Sequence, residues 1–173
     1  KGHDITVKAF YQFLDQNPSI QAQLILAGSG KNMNKIQSLV KQLGLGQHVE
    51  FPGKVDKFQA KELLEKADCF VHHSVTSEGG DTEGIPNAVM EAMSMELPVI
   101  ASIHAGIPEL MEDGIHGYLV DENDVDSYAN RMKQIMDWKH VRESRVKIQK
   151  QFELSIHMKK LNEFYKEILF LSK

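Results

Sequence analysis

The sequence predicts an α/β protein with a Rossmann-like parallel sheet flanked by helices on both faces. Short apolar segments of four or five residues alternate with amphipathic helical patterns, which is typical of successive βαβ units. Two glycine-rich segments, residues 27–33 and 76–84, each follow an apolar segment. Ligands of an open parallel sheet bind beyond the carboxyl ends of its strands, so both segments are expected near a ligand.

The elements follow from the spacing of the apolar residues. Five strands are predicted, at residues 23–27, 49–52, 69–72, 98–101 and 117–120. Eight helices are predicted, at residues 3–16, 32–43, 56–66, 86–95, 107–111, 125–138, 140–150 and 155–171. The last two helices follow the last strand without a strand between them, so they are expected to pack across the sheet edge or on a neighbouring domain.

Length and composition indicate one globular domain. The chain has 173 residues, of which 42% are hydrophobic and 25% charged, with a net charge of −4. An isoelectric point near 6.1 argues against nucleic acid as the main partner, because that partner requires a basic surface. The single cysteine, Cys69, excludes an intrachain disulfide and is interpreted as a buried structural thiol in a reducing compartment. No apolar segment reaches the length of a membrane span, and no signal peptide opens the chain.

The first glycine-rich segment, "AGSGKNM", has two alternative interpretations. Gly28 and Gly30 allow backbone amides to approach an anion at a helix N-terminus, or they form a tight turn that binds nothing. A dinucleotide fingerprint is disfavoured because Met33 stands where the third glycine is required. A phosphate-loop NTPase is disfavoured because no Gly-Lys-Ser/Thr completes the pattern.

Four histidines are predicted near strand ends: His72, His73, His104 and His116. None forms the helical pair spacing of a zinc site, so no metal site is predicted. His72 and His73 point to opposite faces of a strand, so one ring could face a cleft. The alternative is a core imidazole that is hydrogen-bonded to a backbone carbonyl.

The predicted helix that begins at Pro86 is apolar over most of its surface. Its broad apolar face contains Ile85, Ala88, Val89, Ala92 and Met93. A narrow polar strip lies opposite and contains Asn87, Glu91 and Ser94. Such a helix is expected to be largely covered by protein, and its polar strip faces either a ligand cleft or solvent.

These motifs together resemble a known family of enzymes. The segment "TEGIPNAVMEAMSMELPVIAS", followed by "AGIPELMEDGIHGYLV", resembles the donor-site region of retaining glycosyltransferases with the GT-B fold, in the large family numbered four. Two glutamates separated by seven residues, Glu83 and Glu91, carry this resemblance. "LILAGSG" is similar to the nucleotide loop of the family and "VEFPGKVD" to its base-side loop. The closest likeness in motif is to bacterial enzymes of exopolysaccharide, capsule or lipopolysaccharide synthesis.

The resemblance implies roles for individual residues. Glu91 would accept hydrogen bonds from the ribose hydroxyls of a sugar nucleotide. Glu83, the expected catalytic residue, would bind the donor sugar near its anomeric carbon. The amides of Gly84 and Ile85 would face the distal phosphate, and Lys1 would add a positive charge there.

The remaining donor-binding residues implied by the resemblance lie in three places. Gly28 and Gly30 belong to the nucleotide loop, Lys54 and Val55 to the loop beside the base, and Asn87 to the polar strip. The implied reaction transfers a sugar from a UDP-type or GDP-type donor to an acceptor hydroxyl with retention of anomeric configuration. No metal or other cofactor is implied, because cations and helix dipoles would neutralise the leaving diphosphate.

The resemblance also implies that residues 1–173 are the C-terminal, nucleotide-sugar-binding domain of a longer enzyme. An N-terminal acceptor domain and the first strand of this domain would precede Lys1, and the chain indeed lacks an initiator methionine. Residues 155–171 would form a terminal helix that crosses back to the N-terminal domain. The isolated chain is therefore expected to be inactive.

The expected partners are a nucleotide-sugar donor and a glycan or lipid-linked acceptor, and no nucleic acid. The expected location is the cytoplasm, including the inner face of the cell membrane. Two alternatives stay open: a non-catalytic sugar-nucleotide-binding module, and an epimerase with the GT-B fold.

Overall fold

The computed structural model describes residues 2–76, 84–139 and 142–171 and has the predicted α/β architecture. The strands are β1 (Leu24–Ala27), β2 (Val49–Gly53), β3 (Phe70–His72), β4 (Val99–Ser102) and β5 (Gly117–Val120). The helices are α1 (His3–Gln16), α2 (Met33–Gln42), α3 (Lys57–Lys66), α4 (Asn87–Ser94), α5 (Ile107–Leu110), α6 (Val125–Gln134), α7 (Arg142–Gln151) and α8 (Leu154–Leu171). All five strand predictions are confirmed to within one residue at each end, and each predicted helix is present.

Helix boundaries differ from prediction in a few places. The helix predicted at 125–138 ends at Gln134 and continues as a short 3-10 helix, Ile135–Asp137. The predicted start of the helix at 140–150 lies outside the described residues. Helix α4 begins at Asn87, so the assignment of Pro86 to the first helical position is wrong by one residue. Pro86 has an extended ψ of 122° and caps the helix instead, because its carbonyl accepts from the amide of Val89 at 3.1 Å.

The strands form two parallel sheets rather than the single sheet predicted. Strand β1 pairs with β2, and β4 lies between β3 and β5. Among the described residues, no strand pairing joins β1 to β3. The two sheets instead meet through side chains, because Leu24 of β1 and Val71 of β3 pack in the same hydrophobic cluster.

Strand β4 separates two hydrophobic clusters. Ile100 packs in the first cluster, whereas Val99 and Ala101 pack in the second, as the alternation of side chains along a strand requires. The first cluster joins both sheets to α1, α2 and α6, and its largest members include Phe10, Phe13, Leu24, Ile36, Val49, Ile100, Val120, Tyr128 and Met132. The second joins β4 to α4 and α5 and contains Val89, Ala92, Met93, Leu97, Val99, Ala101, Ile107, Leu110 and Met111. Burial on both faces is characteristic of a parallel sheet covered by helices.

The end of α4 is a Schellman motif with an unusual residue at its turn. The amide of Leu97 donates to the carbonyl of Ala92, and the amide of Glu96 donates to that of Met93, each at 3.1 Å. Glu96 occupies the left-handed position with a φ of 64°, where glycine is favoured. The turn leads directly into β4, so it fixes the angle between α4 and the sheet.

Helix α8 packs on α7 and leaves apolar side chains at the surface. Leu154, Met158 and Leu161 have exposed fractions of 75%, 48% and 45%. Their spacing of four and three residues places them on one face of the helix. No helix of the described residues is long and apolar enough to cross a membrane.

Candidate functional site

The carboxyl ends of β3 and β4 are tied together by two serines. The amide of Ser74 donates to Ser102 Oγ at 2.9 Å, and Ser102 Oγ donates to the carbonyl of Ser74 at 2.7 Å. The start of α1 reaches the same edge, because the amide of Gly2 donates to the carbonyl of His73 at 2.8 Å. Lys1, the expected phosphate-binding lysine, lies outside the described residues.

The start of α4 is held by a close backbone contact with the loop after β4. A Cβ atom built on Gly106 would lie 2.6 Å from Ile85 Cγ1 and 3.4 Å from the amide nitrogen of Ile85. Gly106 therefore packs against Gly84 and Ile85, the two residues whose amides are expected to face a phosphate. This contact places α5 beside the beginning of α4.

The polar strip of α4 is accessible. Asn87 and Glu91 are exposed, whereas Val89, Ala92 and Met93 on the opposite side are buried as predicted. Ser94 is half-buried, and its hydroxyl donates to the carbonyl of Met90 at 2.7 Å.

The carboxylate of Glu91 has no hydrogen-bond or ion-pair partner within residues 2–76, 84–139 and 142–171. Glu83, the expected catalytic residue, lies outside the described residues.

The loops after β1 and β2 form a second group of predicted residues. Gly28 has a φ of 130°, and its amide donates to the carbonyl of Gly53 at 2.7 Å. This bond brings the nucleotide loop to the segment that contains Lys54, which is exposed, and Val55, which is half-buried. No hydrogen bond or ion pair between described residues joins this group to Asn87 or Glu91.

Gly30 lines a small cleft between the nucleotide loop and the start of α1. The cleft has a volume of about 220 Å³ and is lined by His3, Asp4, Ser29, Gly30, Lys31, Asn32, Lys35 and Ile36. A wider cleft of about 470 Å³ lies between α2 and β2, but it reaches Val49, at the end of β2 opposite to the ligand-binding edge. The smaller cleft therefore fits the predicted nucleotide site better.

Glu122, which the sequence analysis did not single out, connects the three loops that follow β3, β4 and β5. His104 Nδ1 lies 2.6 Å from Glu122 Oε1. The amide of Thr76 donates to Oε2 at 3.0 Å, and the Thr76 hydroxyl donates to Oε1 at 3.1 Å. His73 Nε2 donates to the backbone carbonyl of Glu122. The hydrogen bonds with His104 and Thr76 hold the pKa of the Glu122 carboxyl below its usual range.

The buried histidines belong to this network or to the core. His73 is the core imidazole bonded to a backbone carbonyl, one of the two alternatives considered above, and its burial lowers its pKa. His116 is also buried and accepts from the amide of Glu112 at 3.0 Å. His73 Nδ1 and His104 Nε2 are buried and have no hydrogen-bond partner among the described residues. A sequence pattern could not identify this network, because its members lie up to 49 residues apart.

Cys69 is half-buried against the first cluster rather than fully buried. Burial and the negative charge of Asp68 raise the pKa of its thiol to about 11. A thiol with such a pKa is protonated at neutral pH, which agrees with a structural role. In the part of the chain that the structure describes, no three His, Cys, Asp or Glu side chains are grouped as metal ligands.

Comparison with known proteins identifies the family. The family described as "Glycosyl transferases group 1" matches residues 1–153. The chain belongs to this family, and the resemblance inferred from the paired glutamates and the glycine motifs is confirmed.

The curated relatives that match are longer than this chain. A candidate colanic acid biosynthesis glycosyltransferase, WcaL of Escherichia coli K12, is 38% identical over 132 residues, which are 76% of this chain and 32% of that protein. The amylovoran biosynthesis glycosyltransferase AmsK of Erwinia amylovora is 30% identical over 173 residues, covering 97% of this chain and 42% of that protein. The chain thus spans about a third of the first relative and two fifths of the second.

A solved structure confirms the fold. Alr3699/HepE of Anabaena, crystallised with UDP and glucose, superposes with a TM-score of 0.82 at 21% sequence identity. The match covers 96% of this chain and 45% of that one. At this identity the likeness establishes the Rossmann-like arrangement of a GT-B glycosyltransferase.

Proposed function

We propose that this chain is the donor-binding domain of a glycosyltransferase that transfers a sugar from a nucleoside diphosphate to an acceptor hydroxyl with retention of anomeric configuration. One observation carries the proposal. The start of α4 is fixed by Gly106 at the ligand-binding edge, and the Glu91 carboxylate is exposed without a partner among the described residues. A carboxylate left available on a rigid helix suits the recognition of ligand hydroxyls.

Glu91 is proposed to bind the ribose, because each carboxylate oxygen can accept hydrogen bonds and two adjacent hydroxyls can donate together. Asn87 is one helical turn earlier on the same strip and is proposed to contact the same donor. Glu83 is proposed to bind the donor sugar close to its anomeric carbon, because it lies two residues before Ile85 in the sequence.

The diphosphate is proposed to lie at the start of α4. The amides of Gly84 and Ile85 precede the helix, where unsatisfied N–H groups and the helix dipole favour an anion. Lys1 is proposed to add a full positive charge, since its neighbour Gly2 is bonded to the end of β3. These groups would stabilise the departing diphosphate without a metal ion, so we expect transfer to persist in EDTA.

The nucleotide is proposed to be of the UDP or GDP type. Gly28 and Gly30 would admit it to the cleft beside α1, and backbone atoms around Lys54 and Val55 would contact the base. The UDP bound by the Anabaena structure supports a nucleotide-sugar ligand for this fold.

The acceptor is proposed to bind a separate N-terminal domain that this chain does not include. Two observations support that arrangement: the first strand of the domain would fit between the unjoined sheets, and α8 leaves an apolar face at the surface. The names of WcaL and AmsK suggest bacterial surface polysaccharide as the product and a glycan or lipid-linked acceptor. Such an enzyme would act in the cytoplasm, at the inner face of the membrane.

The donor site is tested by calorimetric titration of this chain, and of the full-length protein that contains it, with UDP, GDP, ADP and their sugar conjugates. Saturable binding of one nucleotide is expected, and Glu91→Ala should weaken it about tenfold, as loss of a charged hydrogen bond predicts. The matched control is Glu62→Ala, which removes an exposed carboxylate from α3.

Binding that is equal in wild type and Glu91→Ala would contradict the assignment of Glu91. No binding to the full-length protein would contradict the donor site as a whole. Binding by the full-length protein without sugar transfer to any acceptor would favour the non-catalytic module, and release of an epimerised sugar would favour the epimerase. The anomeric configuration of a transferred sugar, determined by NMR, tests retention.

A further inference from the structure

Both described residues that flank residues 77–83 are anchored to the same loop. Thr76, on one side, is bonded through the Glu122 carboxylate to His104. Gly84, on the other side, packs together with Ile85 against Gly106. Gly106 lies two residues after His104, in the same loop. The expected sugar-binding residue, Glu83, lies between these anchors in the sequence.

Glu122 is suited to hold this arrangement because its carboxylate is fixed from two directions. Oε2 accepts from the Thr76 amide, while Oε1 contacts both the Thr76 hydroxyl and the His104 ring. Its backbone carbonyl is bonded to His73, which is 5% exposed. The residue is therefore attached to the buried ends of two strands, although its side chain is 26% exposed.

Burial of His104 makes this anchor rigid. Its ring is almost fully buried, and the carboxylate contact at Nδ1 fixes its orientation. The hydrogen bond that Glu122 accepts from His104 therefore ties it to the loop at residues 103–106 through a buried side chain. Movement of that loop would also move Gly106, which has no free space toward Ile85.

We propose that Glu122 is a positioning residue for the donor site: through Thr76 and His104 it sets the spacing between Thr76 and the start of α4. The proposal rests on the proposed function, since the positioned groups are the amides of Gly84 and Ile85, which are assigned to the diphosphate. Glu122 itself contacts no ligand in this scheme.

Substitutions of Glu122 can distinguish a positioning role from a purely electrostatic effect of its carboxylate. Glutamine at position 122 can retain all three side-chain hydrogen bonds. Its oxygen can accept from the Thr76 amide, and its amide group can donate to the Thr76 hydroxyl and to unprotonated His104 Nδ1. Alanine removes all three bonds, and aspartate is too short to span them. A negative charge that merely repelled the diphosphate would instead make donor binding stronger in both the glutamine and the alanine variants.

The experiment measures donor affinity by calorimetry, and amide hydrogen exchange without nucleotide, in the full-length protein. Glu122→Ala and Glu122→Asp are each expected to weaken donor binding about tenfold and to speed exchange at Val89 and Met90, whose amides donate to the carbonyl of Pro86 at the start of α4. Glu122→Gln should restore both quantities to near the wild-type values. The matched control is Asp121→Asn, which changes the neighbouring exposed carboxylate and should alter neither.

Unchanged exchange at Val89 and Met90 in Glu122→Ala would overturn the proposal whatever the ligand, because this readout needs no nucleotide. Stronger donor binding in both Glu122→Gln and Glu122→Ala would also overturn it and would indicate charge repulsion. If the wild-type protein binds no nucleotide, the proposed function fails, while the exchange data still decide whether Glu122 positions the start of α4.

Discussion

Gly106 and Ile85 approach so closely that a single added methyl group at Gly106 would overlap the Ile85 side chain at 2.6 Å. The φ of Gly106 is −81°, which any residue can adopt, so glycine is needed here for space and not for backbone conformation. The contact couples α5 to the start of α4, where a phosphate is proposed to bind.

Gly106→Ala is expected to displace Gly84 and Ile85 and to weaken nucleotide binding about tenfold or more. The Ile85 amide nitrogen, 3.4 Å from the added carbon, would have to shift together with the side chain. The double variant Gly106→Ala/Ile85→Ala, which removes the Cγ1 atom that the added methyl group would overlap, is the matched control and should recover part of the affinity. Calorimetry of the three proteins is the measurement, and full affinity in Gly106→Ala alone would contradict the steric argument.

Gly117→Ala is expected to prevent β5 from pairing with β4. Gly117 has a φ of 141°, and an added Cβ would lie 1.9 Å from the carbonyl oxygen of Val99. We expect a loss of about 3 kcal/mol or more in the free energy of unfolding.

The control for this prediction is Gly114→Ala. Gly114 has a φ of 76°, and no atom lies within 4 Å of an added Cβ. Gly114→Ala should therefore lower the free energy of unfolding by only about 1 kcal/mol. Urea denaturation followed by circular dichroism measures both. If the two variants lose the same free energy of unfolding, backbone conformation alone accounts for the need for glycine at position 117.

Glycine at position 96 is expected to relieve backbone strain in the turn at the end of α4. Glu96→Gly should be more stable than Glu96→Ala by about 1 kcal/mol, because alanine retains the left-handed strain that glycine removes. Both variants lose the ion pair with Arg145, whose atoms are 3.7 Å apart and partly exposed, so this weak contribution cancels in the comparison. Thermal unfolding of the two variants is the measurement; a more stable alanine variant would contradict the prediction.

Stability is expected to fall as the pH is lowered from about 7.5 to 5.5. Burial, with a smaller effect of Lys147, lowers the pKa of His116 in the folded protein, so the unfolded chain binds a proton more readily. Protonation would also break the bond that His116 Nδ1 accepts from the Glu112 amide. The stabilisation is therefore complete above the unfolded pKa of about 6.5 and is lost as the pH falls below it.

Urea denaturation at pH 7.5 and pH 5.5 tests this pH dependence. His116→Gln should reduce the difference between the two pH values but not abolish it, because burial also lowers the pKa of His73. The lowered pKa of Glu122 acts at lower pH. Its contribution to the free energy of unfolding is lost only as the pH falls below about 4.5, outside the range of this comparison. An unchanged pH dependence in His116→Gln would exclude His116 as its source.

Sequence reasoning located the elements because the local signals are strong. The apolar spacing of α4 and the glycines around β5 are readable along the chain, and they also carried the family resemblance. The division into two sheets was not predicted, because strand pairing depends on contacts between distant segments. The Glu122 network was missed for the same reason: Thr76, His104 and Glu122 belong to three loops and share no motif.

The exposure of Glu91 also depended on the structure. Helical periodicity assigned it to the polar strip but could not distinguish a cleft from solvent, since that depends on what surrounds α4. By contrast, the buried face of α4 was predicted correctly from the spacing of its apolar residues.

The shared core beneath the two sheets has a consequence for cooperativity. Leu24 and Val49 from one sheet lie in the same cluster as Ile100 and Val120 from the other, so opening either sheet exposes apolar surface of both. We therefore expect the amides of β1 and β5 to exchange with solvent at similar free energies in native-state hydrogen exchange, as parts of one unfolding unit. Helix α8, which contacts chiefly α7, should open at a much lower free energy and would report separately on any partner that covers it.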